Sequence, residues 1–245
     1  MPAAYGMGIR CEPPGINNRL VAYLHAPIGP GGPPTGIESS SIASNKMFYV
    51  PGSAAEILPY YFTSYDKGIN GVMLDVAGLP EGATLTAANF RFTVERTVVR
   101  NGRASQVVGP GPAPTSVTVR RGAGVGGSDR VTLIWPDGAI RNAWLAVGYL
   151  PPPGSPPAPG ALGVIFGNLA GDRAERTDRA QYSDLLYYRV DALDLAAVKG
   201  MLGQRVGISS RYDHNRDGVI NALDVAVVKG NLTRLLRSSY PVGRL

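Results

Sequence analysis

Cysteine and histidine are scarce in this chain: one cysteine, Cys11, and two histidines, His25 and His214, in 245 residues. A lone cysteine closes no internal disulfide and completes no zinc site. A Ser/His/Asp or Cys/His device would have to use His25, and no neighbour in the sequence orients that imidazole. Long apolar runs are missing as well. No stretch approaches the roughly eighteen residues that a membrane-spanning helix needs. The formal charge is +6, yet no Lys/Arg block interleaves with aromatics, so nucleic acid is not the expected partner. The basic excess is scattered as single arginines, with some gathering near the end at Arg234, Arg237 and Arg244. The opening residues, MPAAYGMGIRCEPPG, lack a basic region followed by an apolar run, so they do not read as a secretory signal.

What is plentiful is glycine and proline, 32 and 21 residues, which favours turns and short elements over long helices. Residues 1–37 are Gly/Pro-rich and read as a flexible leader, with Leu20–Leu24 as a candidate edge strand. From there the pattern turns strand-like. The candidates are Lys46–Val50, Glu56–Phe62, Gly71–Val76, Asn89–Val99, Ser116–Arg120, Arg130–Trp135, Ala143–Leu150 and Leu162–Phe166. They are short, rich in β-branched and aromatic residues, and separated by turns such as Leu79-Pro80-Glu81-Gly82 and Pro136-Asp137-Gly138. Many short strands without intervening helices predict an Ig-like or cohesin-like β-sandwich over 38–168. The proline run at 151–160 is read as a stiff loop inside that domain, because the apolar segment after it needs burial. The polar stretch 169–178 is read as a linker.

Within the β-domain, Gly122, Gly124 and Gly127 satisfy G-x-G-x-x-G, but the motif lies between two strand candidates. It lacks the helix whose N-terminus would receive a phosphate, so it reads as a strand connection. Glu56, Asp66, Asp75, Glu81, Glu95, Asp129 and Asp137 supply carboxylates, yet their spacing assembles no acid/base pair. The expected domain is non-catalytic. Trp135, Trp144, Tyr60, Tyr61 and Tyr65 raise an alternative, sugar contact in polysaccharide breakdown. Trp135, beside a turn, is the best candidate for a stacking face, and Trp144 reads more easily as core.

The most informative stretch is Asp213–Asp224, DHNRDGVINALD. Side-chain oxygens stand at Asp213, Asn215, Asp217, Asn221 and Asp224, which are loop positions 1, 3, 5, 9 and 12. Gly218 occupies position 6, where such a loop turns sharply. Calcium is a hard cation that gathers oxygens at this spacing, with position 7, here Val219, giving its backbone carbonyl. Ile220 at position 8 would anchor the loop to a core. A plainer reading is an Asp/Asn-rich turn that ends in a helix N-cap at Asn221.

Upstream lies a near copy. DALDLAAVKGML at 191–202 and NALDVAVVKGNL at 221–232 agree at eight of twelve positions, thirty residues apart. A duplicated loop–helix unit with Asp rather than Glu at position 12 resembles the dockerin type I family. The resemblance implies a small calcium-binding helical domain over 179–236, followed by a basic tail over 237–245. It also implies attachment to a cohesin-like module or cell-surface scaffold. The family's partner-contacting positions fall on Ala222, Leu223, Lys229 and Gly230, with Ala192, Leu193, Lys199 and Gly200 as their duplicates. The ordinary reading of those helices is an apolar face that packs the repeats together. The first repeat departs from the pattern: Ser183, Leu185 and Tyr187 stand at positions 1, 3 and 5, and Tyr188 replaces the glycine. Starting from Asp184 makes the loop one residue short. Only Asp191 and Asp194 survive, and they read equally well as an N-cap pair. One calcium ion is therefore expected, in the second loop.

The β-domain segments YDKGINGVMLDVAG, APTSVTVRRGAGVGGSDRVTLIWPDGAIRNAWL and VIFGNLAGD resemble a repeat of large secreted proteins from planctomycete-type bacteria, often followed by a dockerin. Together the resemblances imply a β-then-α, non-enzymatic protein at the cell surface or outside the cell. Without a signal sequence, that placement implies a fragment or a misassigned start.

Overall fold

The computed structural model describes residues 15–22, 45–48, 59–150, 163–174, 179–182 and 185–237. The strands are β1 (Gly15–Ala22), β2 (Phe62–Thr63), β3 (Gly71–Ala77), β4 (Phe90–Arg100), β5 (Arg103–Pro110), β6 (Ser116–Arg120), β7 (Asp129–Ile134), β8 (Ala143–Tyr149) and β9 (Gly163–Asn168). After them come β10 (Arg179–Tyr182), β11 (Leu185–Arg189), helix α1 (Ala192–Gly200), helix α2 (Ala222–Asn231) and β12 (Leu235–Arg237). The order is β then α, as expected.

Two sheets face each other. One runs β1-β3-β7-β6 and the other β2-β9-β8-β4-β5. Alternate residues of β3 (Val72, Leu74, Val76) and β7 (Val131, Leu133) meet Phe90, Phe92 and Val94 of β4. Leu145, Val147 and Tyr149 of β8 and Val164 and Phe166 of β9 complete this core. Period-two alternation sends these residues to one face. The segment after the proline run does belong here: β9 pairs antiparallel with β8 from Gly148↔Gly163 to Ala143↔Asn168. The proline run lies outside the described residues, as do Cys11, His25 and Glu56.

The second sheet is buried on both faces along β2, β8 and β9. Trp144 and Ala146 of β8, Ile165 of β9 and Phe62 of β2 point away from the sandwich core. There they pack against Tyr188, Val190, Val198, Ile220, Val228 and Leu236 of the C-terminal region. The molecule is thus three layers deep, with the five-stranded sheet in the middle. Two-sided burial is why β8 and β9 read as nearly continuous apolar runs, AWLAVGY and GVIFGN.

Some strand candidates need correction. Residues 45–48 form no strand, and Pro59–Tyr61 is a 3-10 turn that leaves only Phe62–Thr63 of the 56–62 candidate. Pro59 has no N–H to offer a ladder. Strand β5 was missed. Its signal is Asn101-Gly102, both at positive φ (50° and 73°), the dipeptide of a two-residue hairpin turn. The glycine-rich stretch joins β6 to β7 as expected. It folds onto Asp75, whose carboxylate pairs with the Arg130 guanidinium at 2.7 Å and accepts the Val125 N–H at 3.1 Å. A Cβ at Gly124 would lie 2.8 Å from the Asp75 carboxyl carbon, so that glycine is needed for close approach.

Candidate metal centre

Helix α2 begins where the oxygen-rich loop ends. Asn221 is its N-cap, its side-chain oxygen accepting the Leu223 N–H at 2.7 Å, and Asp224 closes the capping box by accepting the Asn221 N–H at 2.9 Å. The turn-and-cap reading of Asn221 is therefore correct for this structure. Asp224 also reaches back across the loop, its other oxygen accepting the N–H groups of His214 at 2.6 Å and Asn215 at 3.3 Å. Positions 12, 2 and 3 are drawn together this way.

The opposite wall is built by Asp213. Its two oxygens accept the Asp217 N–H at 3.2 Å and the Gly218 N–H at 2.9 Å. Gly218 has φ of 85°, a left-handed conformation that favours glycine. Asp217 accepts from the side-chain amides of Asn215 at 2.8 Å and Asn221 at 3.0 Å. The Asn221 amide also donates to the Val219 carbonyl at 3.2 Å. All six sequence-expected residues thus fall in one hydrogen-bonded loop. Asp213 and Asp224 are fully buried. Burial pushes the Asp213 carboxyl above the usual range, against the lowering pull of the Gly218 N–H and the Arg216 guanidinium.

Among the described residues, no three His, Cys, Asp or Glu side chains form a metal cluster. The aspartates of this loop turn their oxygens onto N–H groups, and the rest of the donor set is carboxamide and carbonyl. That chemistry fits a hard, oxygen-seeking cation. Asn215 and Asn221 would need their amide oxygens turned inward to join it, and for Asn221 that competes with its cap.

The loop's other positions face the β-domain. His214 is fully buried, and its carbonyl accepts the Asp66 N–H at 2.9 Å. Burial, and then the Arg216 charge, hold its imidazole down to about 3. Arg216 adopts φ of 60° and is almost fully buried. Its guanidinium donates to the carbonyls of Ser210 and Asp213 and, at 3.2 Å, to the Ser64 hydroxyl. These contacts were not foreseen, because nothing in a non-ligand loop position tells which surface it will meet. Ile220, expected to anchor the loop, is fully buried in the shared core.

The first repeat takes a different structure. Leu185–Arg189 is a strand, paired with β10 and β12. Tyr187 and Tyr188 are buried; Tyr187 accepts from Gln106 at 2.9 Å, and Tyr188 packs on Phe62 with ring centroids 4.7 Å apart. Ser183 and Asp184 lie outside the described residues. Asp191 caps α1 and Asp194 closes its capping box. The start of the expected linker is also built in. Leu169, Ala170, Asp172 and Ala174 are buried, and Gly171 (φ of 88°) lies so near α2 that a Cβ would sit 3.0 Å from the Val228 Cα.

The partner-contacting candidates are all exposed: Ala192, Leu193, Lys199 and Gly200 on α1, and Ala222, Leu223, Lys229 and Gly230 on α2. The pattern of burial repeats position for position between the helices. Packing of the repeats uses Val198 and Val228 instead.

The sugar-stacking candidate is overturned. Trp135 is completely buried, its indole N–H donating to the Pro112 carbonyl at 2.9 Å and its ring edge-on to Phe92. A residue beside a turn was expected at the surface, but β7 directs it into the sandwich. Trp144 and Tyr65 are buried too. Of the carboxylates considered for catalysis, Asp129 pairs with Arg121, Asp137 with Lys67 and Asn70, and Glu95 with Arg237.

Residues 188–233 match the family model of the dockerin type I domain. No curated protein and no solved structure matches the chain.

Proposed function

We propose that the C-terminal layer is a calcium-dependent attachment module that plugs the β-domain into a cohesin-type partner outside the cell. The family match supports the general terms, since dockerin domains bind calcium and cohesins and are not catalytic. The observation that carries the reading is the duplicated exposed face. Leu193 and Leu223 are 57% and 59% exposed at equivalent places on the two helices. Paired exposed leucines flanked by Ala, Lys and Gly form an apolar face that no described residue covers. Gly200 and Gly230 support it. A Cβ at either would meet nothing within 4 Å, so the fold itself does not demand glycine there. A partner's close approach does. Because the face is doubled, a partner can engage either helix end foremost.

In this reading Asp213, Asn215, Asp217, Asn221, Asp224 and the Val219 carbonyl hold one calcium ion. Calcium would neutralise the loop's carboxylates and tie positions 1 to 12 together, holding α2 at the angle that presents the patch. Extracellular sites of this kind work at about 10⁻⁴ to 10⁻³ M. The β-domain is the cargo, and its two tryptophans are buried and offer no stacking face.

The test is capture of the full chain by immobilised type I cohesin domains, in calcium and in chelator. Capture in calcium alone, lost in the Leu193→Asp/Leu223→Asp double variant, is the expected result. Capture by no cohesin in millimolar calcium, with the chain folded, would overturn the attachment reading.

A further inference from the structure

The two repeats keep the same aspartate at the end of the loop, but only one keeps the loop. In the second repeat, Asp224 uses one oxygen to cap the helix, at 2.9 Å from the Asn221 N–H, and the other to gather the loop, at 2.6 Å from the His214 N–H. In the first repeat, one Asp194 oxygen caps α1 in the same way, at 2.8 Å from the Asp191 N–H. Its other oxygen meets a group from outside the repeat. It accepts the N–H of Arg173 at 3.0 Å, and the Arg173 guanidinium stands 3.8 Å from it. Arg173 comes from the β-domain side of the chain, twenty-one residues earlier. Asp194 is 1% exposed and the arginine side chain 17%.

We infer that Arg173 is a built-in replacement for the first repeat's calcium ion. A cation site that loses its ion leaves a buried carboxylate uncompensated, and that is costly unless another positive group arrives. The guanidinium supplies that charge permanently. Its backbone N–H supplies the bond that a loop N–H makes in the second repeat. Released from ligand duty, residues 185–189 are free to extend as β11 and to bury Tyr187 and Tyr188 against the β-domain. The turn carrying Arg173 is held beside both helices: Gly171 abuts α2 at Val228 and Arg173 meets the start of α1. One half of the module is thereby set by covalent chain, and the other half responds to calcium. The inference rests on the calcium reading only for the second loop.

The test is thermal unfolding of the full chain as a double-mutant cycle on Arg173→Ala and Asp194→Asn, run in calcium and in chelator beside a calcium titration. Arg173→Ala is expected to lower the midpoint by about 5–10 °C, equally in both conditions. Asp194→Asn added to it is expected to recover part of that loss, since it removes the stranded charge. The wild type is expected to take up one calcium ion. Should Arg173→Ala not fold, Arg173→Lys keeps the charge and is expected to retain at least half of the stability. An additive cycle, an unchanged midpoint for Arg173→Ala, or two calcium ions bound by the wild type would overturn the inference. Uptake of no ion with a strongly coupled cycle would instead contradict the calcium reading and leave the arginine assignment standing.

Discussion

At the scale of single residues, the second loop asks each side chain for a distinct task. Asp213 and Asp217 hold the turn and carry charge, so Asp213→Ala or Asp217→Ala should weaken calcium uptake by about two orders of magnitude or more in a titration of the full chain. Asn221 has a second task that survives without metal. Its side chain caps α2 at 2.7 Å, so Asn221→Ala should cost about 1 kcal/mol in denaturant unfolding even in chelator. An equal stability of variant and wild type in chelator would contradict the cap. His214 contributes a pH dependence. Its imidazole is neutral in the fold, held to about 3 by burial and by Arg216, whereas a free histidine titrates near 6.5. Below that value the unfolded chain takes up a proton that the folded chain refuses. Stability is therefore whole above about pH 6.5 and falls by up to about 1.4 kcal/mol per unit as pH drops toward 3. Unfolding of wild type and His214→Gln between pH 7 and 5 checks this: the wild type should show the steeper loss.

At the scale of elements, helix α2 joins the loop to the exposed face. Gly230 separates the two roles, because it lies in open space within the helix. Gly230→Ala should stabilise the fold by up to about 1 kcal/mol and weaken partner capture at the same time. Stabilisation with undiminished capture would remove Gly230 from the contact surface. The loop and its helix were legible in the sequence because their logic is local: oxygens at fixed offsets, glycine at the turn, a cap at the helix start. The repeat-one capping pair was legible for the same reason. Trp135 was not, because a position next to a turn does not reveal which way the strand has rotated. Arg173 was not, because it sits in a polar stretch and its partner is a carboxylate on another element. The two-sided burial of β8 and β9 does leave a signal in the sequence. A sheet face bound for solvent alternates, and AWLAVGY does not.

At the scale of the molecule, the C-terminal layer and the β-domain share one apolar cluster through Phe62, Trp144, Ile165, Tyr188, Ile220 and Val228. Calcium held in the proposed loop would therefore bear on the β-domain too, through His214, Arg216 and the turn at Ser64 and Asp66. Unfolding should follow a single transition whose midpoint rises with calcium, by the mass action that favours any state able to bind the ion. Trp144, whose indole donates to the Arg237 carbonyl at 3.1 Å, reports on that interface by its fluorescence. Two separate transitions, with calcium moving only the helical one, would show the layers to be independent. The measurement that bears most directly on the whole account is calorimetric titration of calcium into the chelator-stripped full chain. Uptake of one ion, abolished by Asp213→Ala, is the result predicted. No heat of binding at millimolar calcium would contradict it, leaving Asp213–Asp224 as a hydrogen-bonded turn that caps a helix.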